Sequence, residues 1–131
     1  MGNRAVIQLQ GVDAGIYLHW NGGADTVEPL LEVAKEYGLR GDDYGIARLT
    51  QMMGNFFGGT LSLGVENVEK LDTDNGDNGT YVIDKGFNIV ERLHLRYGEQ
   101  REYDYQEMKA AIKAVNDQFF LKDVESWEKG S

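Results

Sequence analysis

The stretch LDTDNGDNGTYVI, residues 71–83, places Asp72, Asp74 and Asp77 around two Asn-Gly pairs, just ahead of an apolar run. Carboxylates this close could ligate a hard cation or share acid–base work. A helix–loop–helix calcium site needs oxygen ligands at loop positions one, three and five, glycine at six and glutamate at twelve. Counted from Asp72, position five is Gly76 and position six is Asp77. Counted from Asp74, position three is Gly76 and position twelve is Lys85. Neither register fits, and the tandem glycine-rich nonapeptide repeat is absent as well. Asn75-Gly76 and Asn78-Gly79 are better read as turn residues, because both types accept a positive φ. The stretch therefore reads as a compact loop before a strand, with Asp72, Asp74 and Asp77 exposed to a partner.

Other groups offer weaker chemistry. His19, Trp20 and Asn21 precede Gly22-Gly23 at a strand-to-helix junction, where a helix N-terminus can hold an anion. The pattern is neither a Walker loop nor a dinucleotide fingerprint, and a turn over a buried Trp20 is the plainer reading. Arg92, His94 and Arg96 share one face of a strand by the period-two rule, opposite Leu93 and Leu95. Such a row could pair with the phosphate of a nucleotide, or bridge to Glu102 and Asp104. A solvated outer face is favoured. Ser62 lies in an apolar strand without a nucleophile-elbow pattern. Two histidines and no cysteine argue against a zinc site, and the lack of cysteine also removes disulfides and thiol nucleophiles. No catalytic residue, cofactor or metal is nominated, so a non-enzymatic role is favoured and a small enzyme of unknown class stays open.

The elements that must hold these residues follow from apolar periodicity. Ala5, Ile7 and Leu9 alternate on one strand, and Ile16, Leu18 and Trp20 on a second, with GVDAG as their turn. Residues 25–38 read as a helix with Val27, Leu30, Leu31, Ala34 and Tyr37 as its buried stripe. Thr26 is the preferred N-cap over Asp25, because it leaves Pro29 near the start, and Gly38 is the stop. Residues 42–57 make a second helix on Ile46, Leu49, Met53 and Phe56, with Gly45 and Gly54 allowing close packing. A strand at 60–65 carries Leu61, Leu63 and Val65. Strands at 80–84 and 87–96 make a hairpin about Lys85-Gly86. A third helix ends near Phe120, with Tyr105, Met108, Ile112, Val115 and Phe119 as its stripe. The expectation is one α+β domain over residues 1–131: an antiparallel sheet of about five strands packed by three helices, with 120–131 a loosely ordered tail.

The 131 residues are enough for a core without disulfides or metals. The net charge is −9 and the pI near 4.6. That balance opposes direct binding to nucleic acid or anionic membranes and suits a basic protein surface. Asp104 and Glu107 on the third helix join Asp72, Asp74 and Asp77 as contact acids. No apolar run approaches a membrane span, MGNRAVIQLQ lacks a signal-peptide core, and Val6 replaces the Ser or Thr of a myristoylation signal. A cytoplasmic location follows as an expectation, and self-association is left open.

Taken together, GIYLHWNGG (15–23), DTVE (25–28), YGIARLTQ (44–51), GNFFGGTLSLGV (54–65) and LDTDNGDNGTYVI (71–83) resemble a set of small proteins encoded by bacterial phages, prophages and related mobile elements. The resemblance spans about residues 3–112 and implies no reaction or cofactor. Relatives more often carry arginine after the double glycine, where this chain has Ala24, which argues against a basic anion clamp there. The genomic company of such proteins implies action against host defence. One route is inhibition of a nuclease effector such as a CRISPR complex, in which acids compete for a basic nucleic-acid groove. The other is a sponge for a nucleotide second messenger, held by His19, Trp20, Arg92, His94 and Arg96.

Because both calcium registers fail, calorimetry should find no stoichiometric micromolar calcium site. A site lost in Asp74→Ala and Asp77→Ala would overturn this reading.

Overall fold

The computed structural model describes residues 3–57, 63–95, 98–99 and 101–130, with 121–130 by backbone alone. β1 (Ala5–Leu9) and β2 (Ala14–Leu18) form the first hairpin, with Ile7 opposite Ile16. Next come α1 (Ala24–Glu36), α2 (Asp43–Phe57), β3 (Leu63–Asn67) and a single 3-10 turn, Val68–Lys70. The chain closes with β4 (Thr80–Ile83), β5 (Ile89–Leu93) and α3 (Tyr105–Gly130). The five strands lie in the order β3-β2-β1-β4-β5. The α+β class, the five strands and the three helices are those the sequence predicts. Every pair is antiparallel except β1–β4, which is parallel. Parallel neighbours need a crossover. Here β3 ends at one edge, and the chain must traverse the sheet to enter β4 beyond β1.

That traverse gives the sheet two covered faces. Ile7, Leu9, Ile16, Leu18, Tyr81 and Ile83 pack on the helices, against Val27 and Leu30 of α1, Leu49 and Met53 of α2 and Ile112 of α3. Side chains alternate along a strand, so Val6, Gly15, Thr80 and Val82 face the other way. Val6, Thr80 and Val82 are nonetheless buried. The crossover lies over them: a Cβ on Gly15 would meet Val68 Cγ2 at 2.6 Å and Leu71 Cδ1 at 3.0 Å.

Several local expectations change. α1 starts at Ala24 with Gly23 as N-cap and no side-chain capping bond, rather than at Thr26 or Asp25. The Asp25 carboxylate is drawn away to accept from the backbone N–H of Glu102 (2.6 Å) and Tyr103 (2.9 Å). Pro29 therefore sits inside the helix, removing one ladder bond. The α1 stripe Val27, Leu30, Leu31, Ala34 and Tyr37 is buried as expected. Trp20 is not buried but 55% exposed, because β2 ends at Leu18. On α3, Met108 and Ile112 are buried, while Tyr105 and Phe119 are exposed. The buried row continues through Asn116 and Phe120, at four-residue spacing. Asn116 Nδ2 donates to the carbonyls of Ile112 and Met52, and Oδ1 accepts from Asn55. Phe120 stacks on Tyr37 at 5.0 Å. The helix also continues past Phe120 to Gly130, through the segment expected as a tail. Gly45 allows the close packing foreseen, since a Cβ there would lie 1.6 Å from the Arg40 carbonyl oxygen. Leu61 and Ser62 fall outside the described residues.

Leu30→Ala and Ile112→Ala should each cost ~2–5 kcal/mol of stability, as deletions of fully buried side chains do. Gly45→Ala should also destabilise, because backbone must move. Unchanged urea midpoints would place these residues off the core.

Candidate functional site

The strand directions bring several of the chemically interesting residues to one end of the sheet. β1 and β4 begin there, and β2 and β5 end there. Arg4, His19, Trp20, residues 75–79 and His94 therefore converge. Asn75 organises the loop through its carboxamide. Its Nδ2 donates to the carbonyls of Asp72 (3.1 Å) and Gly79 (3.0 Å), and its Oδ1 accepts from the N–H of Asp77 and Gly79. Gly76 and Gly79 take the positive φ that the Asn-Gly pairs suggest. Asn78 Nδ2 donates to Asn3 Oδ1 and the Arg4 carbonyl.

This wiring turns Asp77 inward. It is 9% exposed and accepts from Arg4 Nε at 2.8 Å and Arg4 N at 3.1 Å. Burial alone would raise its pKa, but the Arg4 side chain and backbone outweigh that and hold the carboxyl below its ordinary range. Asp77 is thus a structural acid, not the exposed one expected. Asp72 and Asp74 remain exposed, and Asp74 lies 3.8 Å from His94 Nδ1. Asp104 is the residue before α3, and its Oδ2 accepts from the Glu107 N–H at 2.9 Å. That spacing is the first half of a capping box, a signal legible in the sequence. α3 packs on the helix side, so Asp104 and Glu107 do not share a patch with the 71–79 loop.

The basic row also divides. The Arg92 guanidinium lies 3.7 Å from the Tyr81 ring centroid, donates to Glu99 at 2.7 Å and to the Asn78 carbonyl at 3.1 Å, and is largely buried. β5 ends at Leu93 and His94 has φ 57, so the alternation stops. Arg96 lies outside the described residues. His19 and Trp20 form an exposed edge-on pair at 4.7 Å, and Tyr17 Oη is 2.9 Å from His19 Nδ1.

Sequence reasoning missed a second group of acids. Between Leu49 and Asp84 the only basic residue is Lys70, against Glu66, Glu69, Asp72, Asp74, Asp77 and Asp84. Glu66, Glu69 and Asp72 are exposed along β3 and the crossover, with no ion-pair partner among the described residues. On the helix side, by contrast, Glu28 pairs with Arg101, Glu32 with Lys35, and Glu36 with Lys109 and Lys113. The signal was the run of sequence with a single cation, overlooked beside the denser 72–77 cluster. Among the described residues no group of three or more His, Asp or Glu could hold a metal, and no helix is long and apolar enough to cross a membrane.

No protein-family profile, curated protein or solved structure matches the chain.

Asp77 has a lowered folded pKa, so it stabilises the fold above the unfolded carboxylate value of about 4 and loses that contribution as pH falls through the folded value. Acid titration of Asp77→Asn should show a shallower loss of stability than the parent over that window. Identical acid limbs would show that Arg4–Asp77 contributes nothing.

Proposed function

We propose that this protein is a non-catalytic, phage-type accessory protein that inhibits a host defence effector by covering a basic, nucleic-acid-binding surface. The observation that carries the reading is the uneven neutralisation of its charge. On the helix side Glu28, Glu32 and Glu36 are matched by Lys and Arg, while Glu66, Glu69 and Asp72 stand exposed on the β3 flank and crossover without an ion-pair partner among the described residues. A fixed acidic strip on a rigid sheet mimics the charge of a phosphate backbone and steers association with a basic groove. The bacterial cytoplasm is where such an effector would be met. Asp74 belongs to the same loop; Asp104 and Glu107 would offer a separate contact on the helix side.

The exposed His19–Trp20 pair favours a second reading, the nucleotide sponge, since a base can stack on an accessible aromatic ring. Arg92 is less suited to it, because its guanidinium is already engaged by Tyr81, Glu99 and Asn78.

Glu69→Lys with Asp72→Lys should slow association with a purified CRISPR nuclease effector and flatten its salt dependence, leaving the melting temperature unchanged. Trp20→Ala should leave that association unaltered. Charge reversal without effect on association, or effector activity that the parent protein does not inhibit, would sink the inhibitor reading. Retention of a phosphate-bearing small molecule, lost in Trp20→Ala, would favour the sponge.

A further inference from the structure

The outer edge of β3 is regular and has no strand partner among the described residues. It pairs with β2 through five consecutive positions, Ala14↔Asn67 to Leu18↔Leu63, without a bulge. The opposite edge, β5, has a register shift against Val82/Ile83, the kind of irregularity that blunts an edge. The outward groups of β3 can be assigned. Val68 N donates to the Asp13 carbonyl, so 13↔68 is a hydrogen-bonded pair. Such pairs alternate in an antiparallel ladder, so Glu66 and Gly64 bond to β2 while Leu63, Val65 and Asn67 turn their N–H and C=O outward. Asn67 N–H is taken by its neighbour's Glu66 Oε1 at 2.8 Å. Among the described residues the amides and carbonyls of Leu63 and Val65 have no partner and are left to pair with an added strand.

Side-chain space beside this edge is also asymmetric. Val65 is 52% exposed and, opposite Ile16, belongs to the helix-side face. There a groove of about 540 Å³ runs between β3 and α2, lined by Ala47, Thr50, Gly54 and Asn55. On the other face Glu66 is exposed, and beyond the Asn67 end lies a second hollow of about 400 Å³ flanked by Asp13 and Asp43.

We propose that β3 accepts a sixth strand from the partner: an extended basic segment whose alternate apolar residues enter the α2 groove and whose Lys or Arg residues face Glu66 and reach Asp13 and Asp43. Charge selects this occupant, and to that extent the inference rests on the acidic-docking reading. A second copy would instead bring the same acids, and a net charge of −9, to the seam. Strand addition supplies affinity through main-chain bonds, while the pockets for alternate side chains supply specificity.

The probe is the peptide Thr-Lys-Val-Arg-Val-Lys-Val-Thr, titrated by fluorescence anisotropy, with hydrogen exchange read at Val65. The parent should bind it with protection of the Val65 amide. Val65→Pro removes an outward N–H and leaves the β2 ladder intact, so it should weaken binding roughly tenfold or more. The same peptide with proline at its central valine should bind the parent as weakly, which tests the idea even if Val65→Pro fails to fold. Glu66→Gln keeps the bond to Asn67 N–H and should weaken binding and its salt dependence. Equal binding by both proline variants, with Glu66→Gln weakened, would overturn strand addition while leaving acidic docking standing. Loss in the proline variants with Glu66→Gln unchanged would overturn the basic partner. No binding by the parent, or a parent dimer that Val65→Pro converts to monomer, would overturn the proposal outright.

Discussion

The crossover from β3 to β4 is the constraint on which the rest of the fold depends. It must span the sheet, because β4 lies beyond β1 and parallel to it. Its far end is fixed by one carboxamide, that of Asn75, which bonds two carbonyls and two amides of the loop, the buried N–H groups of Asp77 and Gly79 among them. The Arg4–Asp77 pair then ties that loop to the start of β1. With the loop in place, Val6, Thr80 and Val82 are covered and the sheet has two dry faces rather than one. The Asn-Gly repeats thus serve to seat a lid on the sheet.

A second tie operates on the helix side. The segment before α3 is held by Asp25 accepting from Glu102 and Tyr103, by Arg101 on Glu28, and by Glu99 on Arg92. This explains why α1 lacks a side-chain cap and why Arg92 is withdrawn from solvent. It also consumes acids. Carboxylates paired here contribute little net field, which leaves those on β3 and the crossover, where Lys70 is the only cation in the local sequence, among the acids that set the potential.

The two features meet at β3. The strand is positioned by its ladder to β2 and by the crossover that leaves from its end. Among the described residues it stays open on its outer side, with Glu66 on one face and small α2 residues on the other. Docking through such an edge would use the backbone for affinity and the carboxylates for orientation and rate.

The amino-acid sequence by itself determined the elements. The period-two run at Ala5–Leu9, the strand arm at Thr80–Ile83, the α1 stripe and the turn chemistry of Asn75-Gly76 and Asn78-Gly79 are local patterns, and each formed an element of the kind its pattern suggests. Only the tertiary structure decided which polar groups were spent on the fold. Asp77, Asp25 and Arg92 carry no local mark that distinguishes them from surface charges, because their partners lie 73, 77 and 14 residues away or on a neighbouring strand. Asn116 is disguised in the same way, as a polar residue in an apolar row whose bonds run to Met52 and Asn55. The parallel β1–β4 pair, and with it the convergence of Arg4, His19, Trp20 and the 75–79 loop, depends on strand order. Strand order is a contest among long-range contacts that no window of sequence records.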